Sequence, residues 1–434
     1  MSARQHSIGG LNSVRHILQR ANARPFRGGS KIAPSGDKTT KQSRRIFTAE
    51  DARMLARRRL PRLVFDFVDG AAGREIAAAK NISAFDEIEL QPRVMQDVSS
   101  RNLRTTFLGS EYDCPVGIAP MGMCDLIWHG ADRMLARASN RFNAPLCLSS
   151  AASCLIEDML SWTEGRAWFQ LYVGQSMDHT LDMVERAKTA GYETLVLTVD
   201  VPQVSRRVRD LRNGFEMPFR IGPRQFLDFA AHPKWSLTTL VNGAPSAKNF
   251  PTDRGNSGFD RGASRAGADW AFLNRLRDLW PGRLVIKGVT SVADAKRIQS
   301  CGADAIYVSN HGGRQLDSAP AAIKLLPAIR TALGPDYPLI FDSGIRSGED
   351  VVKALAFGAD FVMLGRPLLF AIGAEGERGL NSLFSIFTEE ISLTLAQLGL
   401  TRPGEISRDV LINPPASLTE KSTQLHITKS IKRA

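Results

Sequence analysis

Eight short apolar runs, each followed by a polar or glycine-rich cluster and then by a helical pattern, constrain the fold of this 434-residue chain more than any other feature. They fall at Val116–Ala119, Pro145–Leu148, Ala167–Leu171, Thr194–Val199, Leu284–Ile286, Ala305–Val308, Leu339–Phe341 and Phe361–Leu364. Apart from Gln170, Thr194 and Thr198 the runs are continuously apolar rather than alternating, so each predicts a strand buried on both faces, as in parallel sheets covered by helices. Eight such strands close a (β/α)8 TIM barrel, and one barrel with insertions accommodates a chain of this length. A doubly wound open sheet is the alternative, but no GxGxxG follows the first strand.

Barrel sites assemble where the C-terminal ends of the strands meet the following loops. In chain order those ends carry Pro120-Met121-Gly122, Ser149, Gln170 with Tyr172, Thr198 with Asp200, Lys287, Ser309 with His311, Asp342-Ser343-Gly344 and Gly365-Arg366. Ser149 or Gln170 alone reads equally well as a satisfied structural polar group. A lysine, a histidine, two aspartates and an arginine on one rim have no packing rationale, and the set reads as a binding cavity. The densest stretch is Ser309-Asn310-His311-Gly312-Gly313-Arg314-Gln315-Leu316-Asp317. In isolation these nine residues read as a Gly-rich turn with a solvated His and Arg. At a barrel strand end they combine an imidazole able to accept a proton near neutral pH with a fixed guanidinium fork for a carboxylate. After the seventh and eighth strands, Asp342 to Arg346 and Leu364-Gly365-Arg366 place glycine amides and arginines where barrels commonly hold phosphate. A phosphorylated cofactor gripped there would lay its reactive ring over the barrel mouth, with Lys287 positioned to stabilise negative charge on it.

The net charge of +12 is concentrated at one end: residues 1–48 hold ten Lys/Arg against the single acid Asp37. This leader (1–47), with a short amphipathic basic helix between Leu11 and Phe26, fits a mitochondrial transit peptide, a basic arm touching anionic lipid, or a solvated extension. No recognition module accompanies it, so nucleic acid is not an expected partner. The five cysteines form no CxxC pair and read as reduced, buried thiols of a reducing compartment. The histidines show no HxxxH or HExxH spacing, so no metal site is expected. No secretory or membrane-spanning apolar run is present. Thr48-Ala49-Glu50-Asp51 starts a helix reaching Arg57–Arg59, Pro61 starts a second that Gly70 stops, and the chain then reads as loop until the first strand.

From about Phe47 to about Leu411 the chain resembles the FMN-dependent α-hydroxy acid dehydrogenases and oxidases, including glycolate oxidase, L-lactate dehydrogenase and mandelate dehydrogenase. The resemblance rests on Trp168-Phe169-Gln170-Leu171-Tyr172, Leu197-Thr198-Val199-Asp200, Ile286-Lys287-Gly288, Ser309 to Asp317, Asp342-Ser343-Gly344-Ile345-Arg346 and Leu364-Gly365-Arg366-Pro367. The Ser309–Asp317 string is specific to that family; the others gain force from their order and spacing. The resemblance implies an FMN-binding barrel over residues 48–411, oxidation of a small (S)-2-hydroxy acid to the 2-oxo acid, and a homotetramer. By position it makes His311 the base, with Asp200 orienting it and Tyr172 bonding the substrate hydroxyl or nascent carbonyl. Arg207 and Arg314 would clamp the substrate carboxylate. Gly122, Ser149, Gln170, Thr198, Lys287 and Ser309 would line the flavin ring and ribityl chain, and Asp342, Gly344, Arg346, Gly365 and Arg366 its ribityl and phosphate end. One departure stands in the substrate-binding set: Phe67 occupies a position where the family has a tyrosine that helps hold the carboxylate. Met121 likewise replaces a smaller residue beside the flavin, and both changes suit a larger or more apolar acid.

About eighty-five residues separate Asp200 from the fifth strand, too many for a simple connection. Within this insertion, about 204–267, Arg206 to Phe250 interleaves arginines with Phe215, Phe219, Phe226, Phe229 and Trp235, a pattern that suits either a lipid interface or a lid over the site. Thr252 to Gly267 is rich in Gly, Ser, Asp and Arg and is expected to be mobile. His232-Pro233-Lys234-Trp235-Ser236-Leu237 is similar to the matching part of membrane-associated mandelate and lactate dehydrogenases. Peripheral seating of this kind implies a quinone or other respiratory acceptor, at the inner face of a bacterial cell membrane or in mitochondria. Gly122, where several oxidases have alanine, leans the same way. The alternatives are an oxidase using oxygen, a catalytically weakened flavoprotein acting as a binding partner, and a different phosphate-gripping barrel. The last has no need of His311 and Arg314 on one loop. A C-terminal tail (412–434) lies outside the resemblance.

Overall fold

The computed structural model describes residues 42–415 except Gln175, Pro218, Pro251, 254–255 and 258–263. The Leu11–Phe26 helix and nearly all of the leader, most of the C-terminal tail and part of the Thr252–Gly267 stretch therefore lie outside the described residues.

The eight apolar runs form eight parallel strands: β3 (Val116–Ile118), β4 (Cys147–Ser149), β5 (Trp168–Leu171), β6 (Thr194–Thr198), β7 (Arg283–Val289), β8 (Ala305–Val308), β9 (Leu339–Phe341) and β10 (Phe361–Leu364). Their hydrogen-bonded order is β3-β10-β9-β8-β7-β6-β5-β4, and a parallel bridge between Ile118 and Leu146 closes the ring. Before it come α1 (Ala49–Arg59), α2 (Arg62–Asp69), α3 (Ile76–Asp86) and an antiparallel hairpin, β1 (Thr105–Phe107) with β2 (Ser110–Tyr112). Around it lie α4 (Ala131–Arg141), α5 (Ile156–Trp162), α6 (Met177–Ala190), α7 (Val208–Asn213), α8 (Pro223–Ala231), α9 (Pro233–Asn242), α10 (Trp270–Leu279), α11 (Val292–Ser300), α12 (Ala322–Leu333), α13 (Gly348–Ala356) and α14 (Arg366–Gln397).

The two expected start signals act as read. The Thr48 hydroxyl accepts the Asp51 amide at 3.0 Å and caps α1, and Pro61 and Gly70 flank α2. The stretch read as loop after Gly70 instead holds α3 and the hairpin. The hairpin turns through Leu108 and Gly109, both at positive φ, so no Asn-Gly or Asp-Gly marks it in the sequence. Its Phe107 and Tyr112 enter the barrel interior, where Phe107 stacks on Phe361 at 5.0 Å. Phe361 and Trp168 are the first residues of their strands, so the hairpin closes the N-terminal end of the barrel. Full burial of each such phenylalanine contributes about 1.5–3 kcal/mol. The opposite end is left for chemistry.

The excursion after β6 is docked rather than detached. The Asp228 carboxylate of α8 accepts the amides of Arg62 and Leu63 at 3.1 and 3.4 Å, satisfying orphan donors at the start of α2. Trp235 of α9 is buried and donates its indole N–H to the Leu126 carbonyl at 2.9 Å.

Candidate active site

His311 lies three residues past the end of β8 and sits at φ +58°, a strained setting for a non-glycine residue. Its loop is pinned to α3 by three neighbours in the same string. Asn310 exchanges side-chain hydrogen bonds with Asn81 at 2.7 and 2.8 Å. Asp317 accepts the amides of Arg74 and Ile76 at 2.7 and 2.6 Å, capping α3. Gly313, at φ +77°, lies so close to α3 that a Cβ there would stand 2.4 Å from the Ala78 nitrogen. Half of this string is therefore scaffold for the other half.

The imidazole has a different partner at each nitrogen. Nδ1 faces both Asp200 carboxylate oxygens, at 3.1 and 3.2 Å, while Nε2 lies 3.3 Å from the Tyr172 hydroxyl. Burial pushes the His311 pKa below its ordinary value of 6.5, and Asp200 opposes that shift without cancelling it. Burial works to raise the Asp200 pKa, but His311 and Lys287 outweigh it and hold Asp200 low. At neutral pH the pair is thus a neutral imidazole donating from Nδ1 to a carboxylate, with the Nε2 lone pair available. Burial raises the Tyr172 pKa, so the phenol is a protonated donor.

Lys287, buried at the mouth end of β7, donates to Ser309 Oγ at 2.9 Å and pairs with Asp342 at 3.5 Å. Desolvation works against its charge, but Asp342, Asp200 and Tyr172 together keep its pKa above the ordinary lysine value. Asp342 also accepts from Ser343 at 2.8 Å.

These groups surround one cavity at the C-terminal end of the barrel. Phe67, Gly122, Ser149, Tyr172, Arg207, Lys287, His311, Arg314, Asp342, Gly344, Arg346, Gly365 and Arg366 all line it. Asp200, Gln170, Thr198 and Ser309 stand behind that lining: Asp200 on His311, Ser309 under Lys287 and the His311 amide, and Gln170 accepting from Ser149 at 3.0 Å. The Arg314 fork is held by carbonyls at the end of α2, with Nη2 donating to Phe67 at 2.9 Å and Nη1 to Gly70 at 2.6 Å.

Sequence reasoning missed Arg265. It is buried, lines the same cavity and lies over the Tyr172 ring at 5.1 Å. Its only local signal is a Gly/Ser/Asp/Arg-rich stretch, which reads as solvated loop. Phe67 stacks face to face on Phe215 of the insertion, with centroids 4.6 Å apart and planes 5° apart.

A parallel barrel whose strand ends deliver a carboxylate-backed neutral imidazole, a buried lysine and arginines into one cavity defines an enzyme that works on an anionic substrate with a phosphorylated cofactor. The chain belongs to the FMN-dependent dehydrogenases, whose family model matches residues 56–413. It is 39% identical over 376 residues to (S)-mandelate dehydrogenase of Pseudomonas putida, covering 86% of this chain and 95% of that protein. It is 36% identical over 385 residues to L-lactate dehydrogenase of Pseudomonas syringae pv. syringae (strain B728a), covering 86% of this chain and all of that protein. Among solved structures it resembles the monotopic membrane protein (S)-mandelate dehydrogenase, with a TM-score of 0.82, 38% identity, and 85% of this chain against 99% of that one. The chain is therefore an FMN-dependent oxidoreductase of 2-hydroxy acids.

The residues present fit FMN. Gln170 Nε2 and Thr198 Oγ1 are buried polar atoms with no partner among the described residues, as expected of groups that bond a ligand. Arg346 and Arg366 form no ion pair among the described residues; Arg346 donates to the Ile345 carbonyl, and Arg366 to the carbonyls of Asp69 and Gly312. Burial depresses both pKa values, that of Arg366 to about 10. Two desolvated guanidinium groups without carboxylates suit a phosphate dianion. At Gly365 a Cβ would find its nearest neighbour 3.9 Å away, so the glycine leaves open cavity where a side chain would intrude.

Proposed function

We propose that this enzyme oxidises an (S)-2-hydroxy acid with an apolar side chain and passes the electrons to a membrane acceptor such as a quinone. The observation that carries the catalytic part is the His311 imidazole held between Asp200 and the Tyr172 hydroxyl inside the cavity. When bound, FMN supplies the two-electron acceptor for the hydrogen leaving C2 of the substrate. Lys287 and Ser309 would hold its ring, and Arg346 and Arg366, with the Gly344 and Gly365 backbone, would hold its phosphate.

Arg207 and Arg314 orient the substrate carboxylate, and the carbonyl bonds of Arg314 fix its plane for that task. Tyr172 donates to the substrate oxygen. His311 Nε2 takes the hydroxyl proton, and Asp200 stabilises the imidazolium that results. Phe67 removes a polar contact from the carboxylate end and, stacked on Phe215, gives an apolar wall. Mandelate dehydrogenases among the relatives support an aryl or comparably bulky substrate.

Support for membrane seating comes from the insertion. Phe226 and Leu227 of α8 are 63% and 67% exposed, and Leu237, Leu240 and Val241 of α9 are 62%, 80% and 82% exposed. Such an apolar surface on amphipathic helices suits shallow insertion into a lipid interface. A relative is described as monotopic, and among the described residues no helix is long and apolar enough to cross a membrane.

The test is anaerobic bleaching of the purified yellow enzyme by a panel of (S)-2-hydroxy acids of increasing side-chain size. Fastest reduction by bulky apolar acids is expected. A strict preference for glycolate or lactate, or no bleaching by any member, contradicts the proposal.

A further inference from the structure

A second cavity, of about 540 Å³, lies outside the flavin site, between α1, α2 and the insertion helices α7 and α8. Among the described residues arginines dominate its wall: Arg53, Arg57, Arg62, Arg209 and Arg212, with Asp66 as the one acid. Two of the five are already neutralised. Arg53 pairs with Asp69 at 2.6 Å, and Arg209 pairs with Asp69 at 2.7 Å, with Asp66 at 3.3 Å and with Glu75. The Asp66 carboxylate also accepts from Asn213 at 2.7 Å, so it presents little unbalanced charge to the cavity. Arg62 makes only a long contact to Asp66, 3.4 Å, with a side chain that is 79% exposed. Arg57 and Arg212 are exposed at the cavity wall and form no ion pair among the described residues. The wall thus holds two paired arginines as scaffold and three guanidinium groups around an open volume.

The cavity wall adjoins the helices with the exposed apolar residues through Arg212 and His232. Leu211, next to Arg212, is 58% exposed, and His232, which also lines the cavity, joins α8 to α9. Planar guanidinium forks match phosphate and carboxylate oxygens bidentately, and three of them around a cavity large enough for several waters suit a tetrahedral phosphate ester, which offers oxygens in more than one plane. We propose that this cavity seats a phosphate ester, namely the headgroup of an anionic phospholipid, while the α8–α9 surface rests in the lipid. The source in lipid rests on the membrane reading given above; the phosphate chemistry rests on the cavity alone. The role is a fixed seat at the bilayer surface, distinct from the general attraction of a basic surface.

The experiment uses the holoenzyme and two double variants of equal charge change. Arg57→Gln with Arg212→Gln alters the cavity; Arg220→Gln with Arg224→Gln alters exposed arginines of the same insertion and serves as control. Partition is measured on vesicles of phosphatidylcholine and of phosphatidylcholine with phosphatidylglycerol. Glycerol 3-phosphate is titrated by calorimetry in parallel, with FMN content confirming intact folds. Wild type is expected to prefer the phosphatidylglycerol vesicles. The cavity variant is expected to lose about tenfold more of that preference than the control, while still binding neutral vesicles. Equal loss in both variants, or a preference kept by the cavity variant, overturns the proposal. If wild type binds no vesicle, the membrane reading fails. The seat then stands as a site for a soluble phosphate ester if glycerol 3-phosphate binds wild type and not the cavity variant, and it falls if no binding heat is seen.

Discussion

His311 and Asp200 form a pair whose pH behaviour can be derived. Burial holds the imidazole pKa below 6.5, and the role proposed for His311 requires the base form, so kcat/KM for flavin reduction should be flat at neutral pH. It should fall only as pH drops through that depressed value. Asp200 raises the His311 pKa, so Asp200→Asn should move the acid limb to still lower pH while reducing the rate by about 10²-fold or more. An acid limb that moves upward contradicts the assignment. Phe67 gives a second residue-scale test. Phe67→Tyr keeps the ring stacked on Phe215 and adds a donor at the carboxylate end, so KM should fall about fivefold to tenfold with kcat little changed. An unchanged KM places the carboxylate elsewhere.

At the scale of elements, the barrel strands were legible because burial on both faces leaves an unbroken apolar run. The second strand starts two residues later than its run suggests, at Cys147. Pro145 has no N–H to donate; its carbonyl accepts from Ile118 at 2.8 Å, just ahead of the strand. The rim residues followed from the strand ends, and the family resemblance supplied their roles. Helix α3 and the hairpin escaped notice because what fixes them is remote in sequence. Asn81 meets Asn310, the Ile76 amide meets Asp317, and Phe107 meets Phe361. The insertion was readable as basic and aromatic, but its helices are short and opened by Pro223 and Pro233, which reads locally as punctuation. Arg265 was invisible for a related reason: its burial comes from the fold, not from its neighbours.

The whole molecule separates its tasks between two ends and one flank. The hairpin seals the N-terminal end of the barrel, the strand C-termini hold the cavity, and the insertion lies against α2 through Asp228. Phe67 joins cavity to flank, because its ring lines the site and stacks on Phe215, which in turn meets Phe219 at 6.2 Å. The proposed substrate site and the proposed membrane-facing flank are thereby neighbours in one body, as the proposed lipid-borne acceptor requires. All of it depends on an imidazole that is neutral, oriented and inside the cavity. The most direct measurement is rapid anaerobic mixing of His311→Gln holoenzyme with a substrate that bleaches the wild type. Full FMN content with flavin reduction slowed by about 10²–10⁴-fold or more is the predicted result, whereas reduction at the wild-type rate contradicts the account.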